Sequence, residues 1–257
     1  MFAEERYRRI MDLLRQNGRV TVAELSESLQ VSPVTIRRDL EKLEEREWLL
    51  RTHGGAVLPP EGGSDEFREK SVLEKQEQFV EEKRRIARAA AELVHNGETV
   101  ALTPGSTNLF LAECLGGKKD VTLVTNALNI ALAAARFPEL DVVVIGGKLR
   151  RKSLAVTGPI AEADLRELRV DKLFLGVDGL DPDAGLTTPN LSEAGVNRCM
   201  IDIAREVVVV ADRSKFGKVT LSCIAPVERA DLIISDRGLS QEMARRIEEK
   251  GVRLVLV

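Results

Sequence analysis

The sequence predicts an α/β protein in two unequal parts, a small helical head followed by a larger domain with a mostly parallel sheet. Three observations predict this. Residues 4–58 repeat their apolar positions at helical spacing and carry few strand signals. Residues 59–67, PPEGGSDEF, form a break rich in Pro, Gly and acids. From Glu98 onward, short β-branched runs alternate with helical segments. The expected boundaries are 1–58 for the head, 59–95 for a linker and connecting helix, and 96–257 for the larger domain.

The head divides into three helices and a hairpin. The first helix, from Glu4 to Gln16, carries Tyr7, Ile10, Leu13 and Leu14 on one face and stops at Asn17-Gly18. The second starts at Thr21, where Thr21 and Glu24 make a T-x-x-E capping box, and turns Val22, Leu25 and Leu29 inward. After the turn QVS, a third helix is capped by Ser32 with Pro33 at its first position. Its Ile36, Leu40 and Leu43 must face the core, and WLLRTHGGAV then reads as two short strands around Gly54-Gly55.

That order is the order of a winged helix-turn-helix. With the third helix's apolar residues inward, Thr35, Arg37, Arg38 and Lys42 lie on or beside its outer face. Such a face suits a major groove: Arg reaches guanine or phosphate, and hydroxyls reach base edges or backbone. Ser32 leaves helix amides free to meet a phosphate, and Arg51 and His53 stand at the hairpin where a wing touches DNA. On an arbitrary helix, Arg37 and Arg38 would be solvated partners of Asp39 or Glu41. Two capped helices and a wing favour the DNA-reading assignment.

Composition bounds the rest. At 44% apolar and 31% charged, the chain belongs with folded rather than disordered proteins. A net charge of −3 means that any nucleic-acid surface must come from local clustering of Arg and Lys. Cys114, Cys199 and Cys223 are widely spaced without a CxxC, which points to a reducing compartment and no zinc site. The N-terminus has no apolar signal core, and no run reaches the ~18 to 20 apolar residues of a membrane span. A cytoplasmic protein without membrane partners is expected.

In the larger domain, residues 68–94 are helical, with Ile86, Ala89, Ala90 and Leu93 as an apolar stripe. Strands are expected at 99–102, 121–124, 141–145, 172–177, 207–211, 232–234 and 253–257. Helices are expected near 107–115, 127–136, 160–168, 191–204 and 240–249. The strands are apolar throughout, as in a parallel sheet covered on both faces.

Candidate ligand residues collect at the carboxyl ends of those strands, where open parallel sheets bind ligands. TPGSTN (103–108) leads from a strand into a helix N-terminus and gathers amides and hydroxyls suited to phosphate. It has neither the P-loop Lys nor a G-x-G-x-x-G pattern, so a nucleotide is not expected. The expected set is Gly105, Ser106, Thr107, Thr125, Asn126, Gly147, Asp178, Glu193 and Lys215. Lys215 would neutralise phosphate, while Asp178 and Glu193 would accept hydroxyl hydrogens. No catalytic residue, metal or cofactor is expected.

VSPVTIRRDLEKLEE followed by RTHGGAV closely resembles the DeoR family of bacterial regulators. EKRRIARAAAELV, the GST turn, VDGLD and ADRSKFG extend the resemblance through the larger domain, which in that family is similar in fold to ribose-5-phosphate isomerase. The resemblance implies that Gly105, Ser106 and Thr107 hold phosphate and that Asp178 and Lys215 lie near the sugar. The chain departs from it in three places. Glu47 stands where the family usually has glycine, Thr103 where most relatives have an acid, and GLTTPN (185–190) lacks the isomerase's catalytic Lys.

The expected function is a sequence-specific DNA-binding transcriptional regulator, with repression the expected sign. It would act on a carbohydrate-metabolism operon and be modulated by a phosphorylated sugar or polyol. The alternative is a sugar-phosphate isomerase-like enzyme with an appended DNA-binding head. An RNA-binding protein would need aromatic platforms, and Phe, Tyr and Trp total 4%. The partners expected are an operator in double-stranded DNA and a second copy of the chain, as homodimer or homotetramer, with contacts from the 68–95 helix.

Overall fold

A computed structural model describes residues 3–45, 48–52, 54–57 and 69–257. Glu47, His53 and the PPEGGSDEF segment lie outside the described residues. The chain divides into two units, Met1–Arg68 and Glu69–Val257, each with its own core.

In the first unit, α1 (Ala3–Asn17) buries Tyr7, Ile10, Met11 and Leu14, one face at helical spacing. Gly18 ends it in a left-handed conformation. β1 (Arg19–Thr21) follows and was not foreseen; three residues with only Val20 buried are too short for a periodicity signal. α2 (Val22–Leu29) starts with the expected capping box: Glu24 N donates to Thr21 Oγ1 at 3.2 Å and Thr21 N to Glu24 Oε2 at 2.8 Å. α3 (Pro33–Glu45) turns Ile36, Leu40 and Leu43 into the core. β2 (Leu50–Thr52) and β3 (Gly55–Val57) form the wing, and β1 joins them in the order β1-β3-β2. A side chain at Gly55 would place its Cβ 1.9 Å from the Val20 carbonyl oxygen, so this pairing needs glycine.

The second unit opens with α4 (Val72–Gln76) and α5 (Val80–Glu92). It continues with β4 (Thr99–Leu102), α6 (Ser106–Cys114), β5 (Val121–Thr125), α7 (Leu128–Ala134) and β6 (Leu140–Val144). A hairpin of β7 (Lys148–Arg150) and β8 (Ala155–Thr157) leads to α8 (Pro159–Arg166) and β9 (Val170–Leu175). Then come β10 (Gly179–Asp181), β11 (Gly185–Thr188), α9 (Leu191–Ile203), β12 (Ala204–Val210) and β13 (Ser222–Ala225). β14 (Leu232–Ser235), α10 (Gln241–Glu248) and β15 (Arg253–Leu256) complete it.

Seven strands make one parallel sheet in the order β15-β14-β12-β9-β4-β5-β6. Its two faces are both covered, which explains strands that are apolar throughout. In β12, Val207 and Val209 enter the core shared with α8, α9 and α10, while Val208 and Val210 enter the core shared with α5, α6 and α7. At roughly 1.5–3 kcal/mol for each side chain fully buried, such a strand is stable only as a central one.

α5 packs Ile86, Ala87, Ala90 and Ala91 against the sheet of the second unit, so the expected connecting helix is part of that unit. The antiparallel pieces β7, β8, β10, β11 and β13 were missed because runs of three or four residues between glycines carry no clear period.

Candidate functional site

In the first unit, Thr35 N donates to Ser32 Oγ at 3.2 Å, and the two hydroxyls lie 2.9 Å apart, fixing the start of α3. Arg37, Arg38 and Lys42 are exposed and have no ion pair among the described residues. Asp39, 4% exposed, is paired with Arg6 instead, through Arg6 Nε to Oδ2 at 2.6 Å and Nη2 to Oδ1 at 3.0 Å. The acid that could have neutralised Arg37 or Arg38 therefore faces the core. Arg51 is half-engaged, 3.7 Å from Glu41 and 3.9 Å from Glu44. Val34, on the first turn of α3, is 58% exposed.

In the second unit, the chain leaves β4 in one direction through β5 and β6, then returns to β9 on the other side of β4. The divergence opens a crevice at the strand ends, as the general rule for open α/β sheets requires. A cleft there encloses about 640 Å³, its open mouth included. Pro104 to Asn108 follow β4, Gly176 to Asp178 follow β9, and Ala211, Asp212 and Lys215 follow β12; Glu193 and Asn197 come from α9. Of the residues expected from the sequence, Gly105, Ser106, Thr107, Asp178, Glu193 and Lys215 come together here.

Thr125, Asn126 and Gly147 do not line the cleft. Thr125 Oγ1 donates to the Leu102 carbonyl at 2.7 Å and accepts from Ala127 N at 3.1 Å. Asn126 Nδ2 donates to the Val156 carbonyl at 2.9 Å. Gly147, at φ 135°, lies against Thr157 and Val156, where a Cβ would meet backbone at 2.9 Å. All three lie in the β5–β8 region, and Asn126 Oδ1 is buried with no hydrogen-bond partner among the described residues. Thr103 is also fully buried, accepting from Gly176 N at 2.8 Å, so the departure at this position tightens β4 to β9 without facing the cleft.

The turn from β4 into α6 is built from backbone. Gly105 precedes α6 at φ 152° and ψ 151°, a conformation that belongs to glycine. The first amides of α6 have no earlier carbonyl to bond, and Ser106 and Thr107 add hydroxyls beside them. Lys215 and Lys75 line the same cleft, the latter from α4 with its Nζ 2.5 Å from Asp178 Oδ1. Burial pushes Asp178 up, but the charges of Lys75 and Lys215 outweigh it and hold the carboxyl below the usual range. Burial lowers Lys215, with Asp178 opposing. Glu193 accepts from Arg150 Nη1 at 2.9 Å and from Ser153 Oγ, and Arg150 also pairs with Glu69.

Sequence reasoning missed Lys75, Ser153, Thr188 and Asn197, which come from elements distant along the chain. Asn108 and Asn197 line the cleft with buried Oδ1 atoms that have no hydrogen-bond partner among the described residues. They are acceptors suited to ligand hydroxyls. The stretch 185–190 brings only Thr188, yet Lys75 and Lys215 supply ammonium groups from elsewhere. Beneath the cleft, Lys83 donates to the carbonyls of Lys75 and Gln78 and lies 3.9 Å from Asp212; burial pushes it down to about 8. Among the described residues no His, Cys, Asp and Glu cluster fits a metal, and no helix is long and apolar enough to cross a membrane.

A winged helix with an unpaired basic face, carried on one chain with an α/β unit holding a polar cleft, defines a DNA-binding transcriptional regulator with its own sensor domain. Profiles of two families match: the DeoR-like helix-turn-helix domain over residues 6–61 and the DeoR C terminal sensor domain over 78–237. The chain belongs to the DeoR family. It is 37% identical to a putative aga operon transcriptional repressor of Escherichia coli O157:H7, over 98% of this chain and 93% of that protein. It is 33% identical to the glycerol-3-phosphate regulon repressor of Escherichia coli K12, over 98% of each. Similar solved structures include the sorbitol operon regulator SorC from Klebsiella pneumoniae, with a TM-score of 0.43, 12% identity and coverage of 94% and 97%. Ribose 5-phosphate isomerase A from Methanocaldococcus jannaschii gives 0.39, 22% identity, and 52% and 53%.

Proposed function

We propose that this regulator represses a carbohydrate-metabolism operon and that a phosphorylated sugar or polyol in the cleft changes its affinity for DNA. The observation that carries the ligand class is the Gly105-Ser106-Thr107 turn at the start of α6 sharing one cleft with Lys75 and Lys215 and with carboxylate and amide acceptors. The turn and the cations suit a dianion, and Asp178, Asn108 and Asn197 suit hydroxyls. The names of the relatives, repressors of the aga operon and of the glycerol-3-phosphate regulon, support the sign and the ligand class. The operator is read by Arg37, Arg38 and Lys42 with Thr35 and Val34, while the amides at Ser32 and the Arg51 wing meet phosphate. A homodimer or homotetramer presents two or more heads to paired half-sites.

The cleft holds its ligand without turning it over. The stretch 185–190 lacks the Lys that the isomerase carries there. Glu193 is engaged by Arg150 and Ser153. Calorimetry with matched phosphorylated and unphosphorylated sugars, beside a turnover assay, tests the assignment. Ser106→Asp places a negative charge in the anion turn and should abolish binding of the phosphorylated ligand. Tighter binding of the unphosphorylated sugar, or measurable isomerisation, would overturn it.

A further inference from the structure

The second unit begins at Glu69, so α4 is the first element the chain forms after leaving the first unit. Two ion pairs attach this segment to the cleft. Lys75 Nζ meets Asp178 Oδ1 at 2.5 Å, and Glu69 pairs with Arg150, which also donates to Glu193 at 2.9 Å. Its other attachments do not involve the cleft-lining carboxylates: Val72 N donates to the Lys152 carbonyl at 2.8 Å, and Ser71 and Glu74 form a capping box. Lys83 fixes the following turn from below, through the carbonyls of Lys75 and Gln78.

Each Asp178 oxygen accepts one hydrogen bond, Oδ1 from Lys75 and Oδ2 from Thr188 at 3.3 Å. Of these two partners, Lys75 is the one whose side chain can turn to an anion in the same cleft. Lys75 has the longer reach, because its side chain has four rotatable carbons and its ammonium is a point charge without fixed geometry. An anionic group at Gly105-Ser106-Thr107 offers it up to two charges and three acceptor oxygens, against a single carboxylate oxygen. Among the lining residues the cations are Lys75 and Lys215, and of the two Lys75 is the one in hydrogen-bond contact with Asp178.

The geometry points to Lys75 as a ligand-reading residue that leaves Asp178 for the ligand's phosphate, freeing Asp178 for a hydroxyl and tying residues 69–78 to α6 through the ligand. This rests on the cleft being the anion site. The occupied cleft then holds the segment by a bridge from the α6 amides through phosphate to Lys75, and the chain entering the first unit starts from a firmer anchor.

The test uses the full chain with inorganic phosphate, against chloride at equal ionic strength, with hydrogen exchange of residues 72–78 and calorimetry as readouts. In the wild type, saturating phosphate should slow exchange there on the order of tenfold, the weight of one charge-assisted hydrogen bond. Lys75→Gln should exchange faster without phosphate, bind phosphate about tenfold more weakly, and lose the protection, whereas Lys75→Arg should restore both. Wild-type exchange at 72–78 that ignores saturating phosphate overturns the inference, whatever the stability of the variants. Normal binding and protection in Lys75→Gln, with binding still abolished by Ser106→Asp, overturns it while leaving the anion site standing. Absence of any phosphate binding by the wild type removes the anion site and the inference together.

Discussion

The Arg6 guanidinium holds both carboxylate oxygens of Asp39, at 2.6 and 3.0 Å, and so ties α1 to the inner side of α3. The pair has two consequences: α3 is locked in rotation about its axis, and Arg37 and Arg38 are left without an acidic partner among the described residues. Asp39→Ala removes two charge-assisted hydrogen bonds at a nearly buried site. Asp39→Ala should therefore lower the stability of the first unit by about 3 kcal/mol, read from its transition in urea. A loss below about 0.5 kcal/mol would place the pair among ordinary surface ion pairs.

Arg37→Ala and Arg38→Ala should keep the fold and weaken operator binding. An arginine that reads a base should cost about 1–3 kcal/mol and relax preference at one position. One that meets phosphate should weaken all sequences alike and flatten the salt dependence by about one unit. Shift assays on specific and scrambled DNA at several salt concentrations separate these outcomes. Wild-type binding by the double variant would remove α3 from the interface.

Gly105→Ala should damage the cleft more than the fold. The backbone at φ 152° and ψ 151° costs a non-glycine residue about 1–3 kcal/mol, which the turn relieves by rotating its amides away from the ligand. Phosphate affinity should fall at least about tenfold, with a modest drop in thermal stability. Unchanged affinity in calorimetry would show that the amides of this turn do not bind the anion.

Lys83 sets a pH dependence whose sign follows from its lowered pKa. In the folded protein it releases its proton near 8, whereas in the unfolded chain it keeps it to about 10.4. The unfolded state binds more protons between these values, so stability rises with pH across that window, by roughly 1 kcal/mol per unit from this group. The contribution is absent in Lys83→Met. Urea unfolding at pH 8, 9 and 10 should give a steeper rise for the wild type than for the variant, and parallel slopes would refute the assignment.

What the sequence by itself determined here is local. The Thr21–Glu24 capping box, the Ser32 cap, the apolar face of α3 and the seven strand runs follow from periods and caps within a few residues, and each stands where the sequence places it. The TPGSTN turn and the DRSK loop were legible for the same reason, since a strand end joined to a helix start is a local feature. Tertiary structure decided the rest. Lys75 and Asp178 lie 103 residues apart, and Arg150 and Glu193 43, and their meeting depends on which strands become neighbours and on how α4 packs beside α6. The same packing set the Thr125 hydroxyl and the Asn126 amide nitrogen against backbone carbonyls of the unit. Sheet order and polar satisfaction are properties of the whole unit, and no window of sequence carries them.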